Sequence, residues 1–247
     1  MPHVICYNKS NYFKGGISIS IYVTGDIHGY PIRLSNEQLN KRGVVLTKED
    51  KIIICGDFGL PWYNDVQDLQ CLEWIAQKPF EVLFVDGNHE NFDLLNEFPV
   101  EVRYGGKVHK LKDNIYHLMR GEVYEIEGKT FFAFGGATSV DKYMREEHVS
   151  WWHEVVYDKE ELFNAISNLI RVGYKLDYVI THTAPKSFLN KLNVHLQGAV
   201  SCPVAKLLDE LSNKIKYKKW YFGHFHTDVD ISEVAACVYE CVVKIEE

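Results

Sequence analysis

The stretch Ile52-Ile-Ile-Cys-Gly-Asp-Phe-Gly59 runs from an apolar segment into a single carboxylate, Asp57, that lies between two glycines. A short run of β-branched residues that ends at glycine is typical of a buried strand followed by a tight loop. The pattern therefore predicts a strand over 52–55 and a loop that presents Asp57 at the carboxyl end of that strand.

Four other segments combine an apolar run with a polar side chain that is able to bind a metal ion. They are residues 19–23 leading into Gly25-Asp-Ile-His-Gly29, residues 82–85 leading into Gly87-Asn-His-Glu90, Val179-Ile-Thr-His182, and Trp220-Tyr-Phe-Gly-His-Phe-His226. The carboxyl ends of parallel strands meet at one edge of a sheet. We therefore expect the polar side chains of all five segments to lie close together.

The polar residues in these five segments form a ligand set of mixed type. Ions such as Mn²⁺, Fe²⁺, Zn²⁺ and Mg²⁺ take carboxylate, imidazole and amide oxygen ligands, and two ions about 3.5 to 4 Å apart need a ligand that bridges them. The set comprises Asp26, His28, Asp57, Asn88, His182, His224 and His226. With Asp57 as the bridge, it predicts a centre of two divalent ions, with manganese as the first choice and iron, zinc or nickel as alternatives. Such a centre suits phosphoryl chemistry.

Composition limits the function and the setting. The chain has 247 residues, 46% of them hydrophobic, and a net charge of -7, which disfavours an extended nucleic-acid surface. Its six cysteines form no C-x-x-C pair, and neither a secretory signal nor a run of about 18 apolar residues is present. We expect a cytoplasmic protein with no membrane contact, comprising an N-terminal extension over 1–16 that is poorly ordered and one domain over 17–247. The oligomeric state stays open.

The order of the apolar patterns predicts an α/β fold. Three strands are each followed by a helix, which implies right-handed crossovers and a largely parallel sheet. An antiparallel meander and further mixed elements follow. The predicted helices are 31–41, 65–77, 91–97, 159–171 and 203–211; the meander strands are 115–118, 123–126 and 130–134; the later strands are 178–180, 220–222 and 237–244.

The five segments, in their order along the chain, resemble the signature motifs of the calcineurin-like metallophosphoesterase superfamily. The resemblance spans residues 25–226 and implies a four-layer α/β/β/α sandwich with the two ions at the carboxyl ends of the strands. It also divides the ligands between the ions. One ion takes Asp26, His28, Asp57 and His226, and the other takes Asp57, Asn88, His182 and His224.

The resemblance further implies an activity. The chain is expected to hydrolyse a phosphodiester or a phosphomonoester, with a small phosphorylated molecule such as a nucleotide as substrate. His89 does not resemble a metal ligand. By the same resemblance it faces the substrate, where an imidazole stabilises the phosphoryl group or protonates the departing oxygen.

Two departures from the superfamily's motifs distinguish this chain from the Ser/Thr protein phosphatases and from the purple acid phosphatases, and they disfavour a protein phosphatase of the first type. In its Ser/Thr protein phosphatases the second motif continues with an Asp and an Arg, whereas this chain has Leu60 and Pro61. Its purple acid phosphatases place a tyrosine where this chain has Leu60. Arg145 or Arg103 is a candidate replacement for the missing phosphate clamp, with Arg145 preferred.

Arg145 lies in an irregular segment, 137–157, that is rich in aromatic and cationic residues and is a candidate lid over the substrate. Its residues of interest are Asp141, Lys142, Arg145, His148, Trp151, Trp152 and His153. The two adjacent tryptophans form either a hydrophobic plug at the sheet edge or a platform for substrate.

A non-catalytic scaffold is the alternative function, because the same fold occurs in trafficking complexes whose members have lost metal ligands. All seven ligand positions and His89 are present in this chain. An interaction surface does not require these residues, and their presence favours the enzyme.

Overall fold

The computed structural model describes residues 19–192 and 202–246. Its strands form two mixed sheets. The first sheet has the order β13-β1-β2-β3-β6-β5-β4 and comprises β1 (Ile21–Thr24), β2 (Lys51–Ile54), β3 (Glu81–Phe84), β4 (Val100–Arg103), β5 (Gly106–Lys112), β6 (Ile115–Leu118) and β13 (Val243–Lys244). The second has the order β11-β12-β10-β9-β8-β7 and comprises β7 (Val123–Ile126), β8 (Lys129–Phe134), β9 (Tyr178–Thr181), β10 (Lys219–Phe222), β11 (Val229–Ser232) and β12 (Ala235–Cys237). The predicted extension, 1–16, lies outside the described residues.

Helices connect the strands. They are α1 (Asn36–Lys41), α2 (Val66–Ala76), α3 (Phe92–Leu95), α4 (Lys159–Arg171), α5 (Lys186–Leu189) and α6 (Pro203–Ser212), with short 3₁₀ turns at Pro31–Leu34, Lys142–Met144 and His153–Val155. In the described part of the chain, no helix combines the length and the apolar character that crossing a bilayer requires.

Alternation along the strands determines which face of the first sheet meets which layer. Ile52 and Ile54 of β2 belong to the same apolar cluster as Leu72 of α2. Ile53, which points the opposite way, belongs to a cluster with Phe131 of β8 in the other sheet. Because successive side chains of a strand alternate between faces, β2 contributes to a helix layer on one side and to the sheet interface on the other.

The second sheet repeats this arrangement. Phe132 of β8 is fully buried in a cluster with Leu169 of α4 and Leu208 of α6, whereas its neighbour Phe131 faces the first sheet. The order of layers is therefore helix, sheet, sheet, helix. The predicted four-layer α/β/β/α fold is confirmed.

Several helices begin where the sequence predicts them, because polar side chains cap them. The Asp158 carboxylate accepts a hydrogen bond from the Glu161 N–H at 2.8 Å, and the Glu161 side chain accepts one from the Asp158 N–H at 2.9 Å. The Asn91 side chain likewise accepts a bond from the Leu94 N–H. These bonds satisfy amide donors that the first turn of a helix leaves without partners. The helix predicted over 31–41 is instead divided, because Ser35 is extended and caps α1.

The prediction of an antiparallel meander of three strands is wrong. β6 pairs in parallel with β3 of the first sheet, whereas β7 and β8 pair with each other in the second. The chain changes sheet at Gly121, whose φ of 76° is in the left-handed region and whose added Cβ would lie 2.7 Å from the Ala165 nitrogen. Apolar alternation identifies a strand but not its partner, and this is why the prediction failed.

Two further differences concern the edges of the first sheet. The hairpin of β4 and β5 was not predicted, and Val100 and Val102 of its edge strand are exposed. The single strand predicted over 237–244 is two strands, β12 in one sheet and β13 in the other. Between them the Asp228 carboxylate accepts hydrogen bonds from the Tyr239 and Cys241 amides and holds the chain in a turn.

Candidate metal centre

The predicted ligands lie where the two sheets meet at their carboxyl edges. They follow β1, β2 and β3 in the first sheet and β9 and β10 in the second. Contacts between the sheets connect them: the His182 Nδ1 lies 2.8 Å from the Cys55 carbonyl oxygen, and the His224 amide donates to Asp26 Oδ1 at 3.0 Å. Residues far apart in the sequence are thus brought to one place by the packing of the sheets.

One group of donor atoms surrounds His28. The His28 Nε2 lies 2.9 Å from His226 Nε2, 3.8 Å from Asp26 Oδ2 and 3.8 Å from Asp57 Oδ2. The His226 Nε2 lies 3.2 Å from Asp26 Oδ2. Donors bound to one ion at about 2.0 to 2.2 Å are separated by distances of this order. This group contains all four residues predicted for the first ion.

A second group surrounds His182. The His182 Nε2 lies 3.3 Å from Asp57 Oδ1 and 3.1 Å from Asn88 Oδ1. The His224 ring packs edge-on against the His182 ring with centroids 4.9 Å apart. Asp57 therefore directs Oδ1 to this group and Oδ2 to the first. This is the arrangement that a bridging carboxylate needs, since each oxygen can serve a different ion.

The backbone at the ligands is unusual. Four of the seven predicted ligands have positive φ angles, which non-glycine residues seldom adopt: His28 at 49°, Asp57 at 49°, His224 at 68° and His226 at 48°. Such conformations cost free energy and concentrate at functional sites, where the surrounding structure enforces them. The loops are therefore built to aim these side chains, at some cost in stability.

Glycines allow the ligands to approach each other. A Cβ at Gly87 would lie 1.9 Å from Asp57 Oδ1, and one at Gly223 would lie 2.2 Å from Asp26 Oδ1. The glycines of the sequence motifs are thus needed for space beside each carboxylate.

Burial and neighbouring charges shift the pKa values of several donors, including His226, whose pKa the contact with Asp26 raises. Burial and the charge of Asp26 raise the pKa of Asp57 well above its ordinary value, because two carboxylates share a buried site. Burial lowers the pKa of His28 to about 4 and that of His224 to about 3, so that both imidazoles are neutral at pH 7. Neutral imidazoles beside carboxylates are the form that binds metal, and a divalent ion would compensate the crowded negative charge. The residues fit a metal centre.

His89 lies at the edge of the first donor group. Its ring centroid is 5.2 Å from that of His28, and its backbone N–H donates to Asp57 Oδ1 at 2.7 Å. Burial, followed by the nearby Arg145 charge, lowers the pKa of His89 to about 4. The structure thus places a neutral imidazole beside the centre.

Arg145 is held by its own segment. Its Nε and Nη2 donate to the two oxygens of Asp141 at 2.8 and 2.7 Å, and its Nη1 donates to the Ser150 carbonyl oxygen at 3.0 Å. Arg103, the other candidate clamp, is in the wrong place for this role. It pairs with Glu81 at the start of β3, whereas the centre lies beyond the end of that strand.

The two tryptophans of the 137–157 segment are part of the core. Trp151 and Trp152 are 9% and 0% exposed, respectively, and belong to the cluster on the helix side of the first sheet. The Trp152 ring packs edge-on against Trp62 with centroids 5.3 Å apart, and its Nε1 donates to Asp93 at 2.7 Å. This burial favours the hydrophobic plug over the substrate platform.

A model of one protein family matches most of the chain. It is described as calcineurin-like phosphoesterase, and it matches residues 19–228. The chain belongs to this family. The resemblance inferred from the five sequence motifs is thereby confirmed.

Two individual proteins show more distant similarity. The lariat debranching enzyme of Drosophila melanogaster is 24% identical over 241 residues, which cover 84% of this chain and 43% of that protein. The crystal structure of a protein described as a 5'-nucleotidase from Staphylococcus aureus, in complex with alpha-ketoglutarate, has a TM-score of 0.47 and 17% identity, and the match covers 92% of this chain and 50% of that one. This member of the family therefore spans about half the length of each.

The sequence motifs did not indicate that Glu90 organises the loops of the candidate centre. Its Oε1 accepts a hydrogen bond from the Phe58 amide at 2.7 Å and its Oε2 accepts one from the Gly59 amide at 2.9 Å, while the Gly87 amide lies 3.4 Å from Oε1. One buried carboxylate thus joins the loop of Asp57 to the next loop. Its position at the end of Gly-Asn-His-Glu was the available signal.

A buried ion pair supports the loop that carries Asn88. The Asp86 carboxylate accepts hydrogen bonds from Arg120 and lies 3.2 Å from His117 Nε2. Burial raises the pKa of Asp86, but the Arg120 charge and the His117 contact outweigh it and hold the pKa below its ordinary value. Arg120 also donates to the Glu154 carbonyl oxygen, which connects the loop to the 137–157 segment. Nothing in the local sequence indicated this pairing.

Tyr239 supports His226, the most exposed of the predicted ligands on the first ion. The two rings are stacked with centroids 4.5 Å apart and an interplanar angle of 12°. The Arg33 guanidinium lies 5.0 Å from the Tyr239 ring centroid and donates to the carbonyl oxygens of Asp26 and Tyr239. The orientation of His226 is therefore fixed from the side away from the donor group.

Proposed function

We propose that this protein is a metal-dependent phosphoesterase that hydrolyses a phosphodiester or a phosphomonoester in a small phosphorylated molecule such as a nucleotide. The observation that carries the proposal is the position of Asp57. Its two oxygens face two separate donor groups, which come from five different sequence motifs in a chain of the calcineurin-like phosphoesterase family.

The proposed ligands follow the two donor groups. Asp26, His28, Asp57 and His226 would hold one ion, and Asp57, Asn88, His182 and His224 would hold the other. Manganese is proposed first, with iron, zinc or nickel as alternatives, because a set of imidazole, carboxylate and amide ligands suits all of them. When bound, the ions supply hydroxide near neutral pH and polarise the phosphoryl oxygens.

His89 is the proposed catalytic residue of the chain. Its neutral imidazole carries one N–H, which is available to a phosphoryl or departing oxygen next to the first donor group. Its backbone amide meanwhile holds the bridging carboxylate of Asp57. The same residue thereby connects the substrate to the position of the ions.

Arg145 is the proposed phosphate clamp. Its ion pair with Asp141 fixes the guanidinium plane, and its charge lies close enough to His89 to lower the pKa of that imidazole. Of its five N–H donors, three make the hydrogen bonds seen within the described residues, and the remainder are available to an anion.

We also propose that residues 17–247 form one domain and that the protein works in the cytoplasm. The free thiols of the described cysteines support the cytoplasmic location.

A substrate panel tests the function. Protein purified without chelator is analysed for bound metal and then assayed with bis-p-nitrophenyl phosphate, p-nitrophenyl phosphate, nucleotides and short oligonucleotides, each with added Mn²⁺. We expect turnover that a chelator abolishes, and the ratio of the two nitrophenyl esters distinguishes a diesterase from a monoesterase. Similarity to an enzyme that debranches lariats is the reason for including oligonucleotides. Metal binding without turnover of any ester would support the non-catalytic scaffold instead.

A further inference from the structure

We propose that Glu147, His148 and His153 form a separate binding site for one Zn²⁺ ion on the surface of the 137–157 segment. Each residue offers one donor atom, and the three atoms lie within 4.8 Å of one another. None of these residues belongs to the candidate centre. The site is independent of the proposed esterase activity.

The geometry suits a zinc site. The His153 Nδ1 lies 3.3 Å from Glu147 Oε1, which is close to the separation of two ligands on a tetrahedral ion with bonds of about 2.1 Å. The rings of His148 and His153 are nearly perpendicular, at 84°, with centroids 6.2 Å apart. Two imidazoles and a carboxylate are a common zinc ligand set that leaves the fourth position to water.

An unsatisfied oxygen lies beside the cluster. The Glu154 Oε2 is buried and accepts no hydrogen bond within the described residues, although it lies 3.4 Å from His153 Nδ1. A buried carboxylate oxygen without a hydrogen bond is costly, and a cation bound to His153 would compensate its charge. Together with the three donor atoms, this oxygen adds negative charge next to the proposed ion.

Asp93 supplies the second layer of such a site. Its carboxylate lies 3.0 Å from His148 Nδ1 and also accepts the hydrogen bond from the buried Trp152 indole. Carboxylates that orient a metal-binding histidine are a regular feature of zinc sites. Because imidazole favours zinc over manganese and magnesium, the site should discriminate between these ions.

A bound ion would fix the outer part of the segment. Asp93 belongs to α3, which directly follows the loop of Asn88 and His89, and Arg145 precedes the three ligands by a few residues. Zinc would thus connect the segment that carries the proposed phosphate clamp to the helix behind the candidate centre.

A Zn²⁺ titration of metal-free protein tests the proposal. Binding is measured by calorimetry and by competition with a chromophoric chelator. We expect the wild-type chain to bind one more zinc equivalent than the His148→Ala and His153→Ala variants. Asp93→Asn should weaken this equivalent about 10- to 100-fold, as loss of an orienting carboxylate does. Asp57→Asn should lose zinc at the candidate centre and keep the surface equivalent, so that the two sites are distinguished.

Glu147→Gln and Glu146→Gln are the matched pair of controls. Both remove one negative charge from neighbouring exposed residues, but only Glu147 offers a donor to the cluster. Glu147→Gln should weaken the surface equivalent and Glu146→Gln should retain it. Equal effects of the two would show diffuse attraction of cations, and unchanged stoichiometry in both histidine variants would show that no site exists; either result overturns the proposal. Circular dichroism confirms that each variant is folded.

Discussion

The stacking of Tyr239 on His226 leads to a quantitative prediction about metal affinity. Replacing Tyr239 with leucine removes the ring that faces the imidazole at a centroid distance of 4.5 Å. The backbone of Tyr239, whose carbonyl oxygen accepts hydrogen bonds from the Gly25 amide and from Arg33, is unchanged by the substitution. The variant therefore tests the ring itself.

The magnitude follows from the energy of an aromatic pair. Such pairs contribute about 0.5 to 1.5 kcal/mol beyond the burial of their surface. If that free energy holds His226 in the orientation that binds metal, its loss lowers the affinity for the first ion by about 2- to 13-fold, since 1.36 kcal/mol corresponds to a factor of ten. The second ion should be nearly unaffected, because its proposed ligands do not contact Tyr239.

Calorimetric titration with Mn²⁺ measures both affinities. Tyr239→Phe is the control, because phenylalanine retains the stack and the contact with Arg33 and loses only the hydroxyl. We expect it to bind like the wild type, whereas Tyr239→Leu weakens one of two equivalents. Identical titrations for the leucine and phenylalanine variants would refute the positioning role of the ring.

Other substitutions address the remaining parts of the candidate centre and one buried histidine outside it. Asp57→Asn should lose both metal equivalents and all turnover, whereas His89→Asn should keep both and lower kcat about 10²- to 10⁴-fold; a full rate in the His89 variant would contradict its role. Gly87→Ala should weaken metal binding, because its Cβ would lie 1.9 Å from Asp57 Oδ1, while Gly128→Ala, with nothing within 4 Å, should leave binding unchanged. Finally, burial and a neighbouring imidazole lower the pKa of His109 to about 4 from an ordinary 6.5. The unfolded chain binds this proton first as the pH falls, so the free energy of unfolding in urea should decrease from pH 6.5 towards pH 4, and less so in His109→Asn.

The sequence allowed the candidate ligands to be grouped because each lies next to a strand end. Asp57 and His182 each follow a buried apolar run within three residues, and a parallel strand carries such a residue to the same edge of its sheet. The direction of each strand therefore predicts the sheet edge at which each candidate ligand lies. The same logic gave the helix starts, since the caps at Asn91 and Asp158 depend only on neighbouring residues.

The parts that could not be predicted depend on contacts between distant residues. Arg120 was assigned no role, yet it joins Asp86 to the 137–157 segment, 34 residues away in each direction along the chain. The pairing of β6 with β3 also depends on which neighbour the sheet offers, which apolar alternation does not encode. Tyr239 belongs to a turn between two sheets, and its stack on His226 exists only when both sheets are assembled.

The site also shows how the fold and the centre depend on each other. Asp57 follows a strand of the first sheet and His182 follows a strand of the second, and their facing atoms are 3.3 Å apart. Each sheet alone presents only part of either proposed ligand set, so Asp57 lies between the two donor groups only when the sheets are packed. Without cations, that packing brings buried carboxylates together and raises the pKa of Asp57. The interface that creates the centre is therefore the one that the crowded charge opposes, and the sheet-to-sheet core, with Ile53, Phe131 and their neighbours fully buried, supplies the opposing stabilisation.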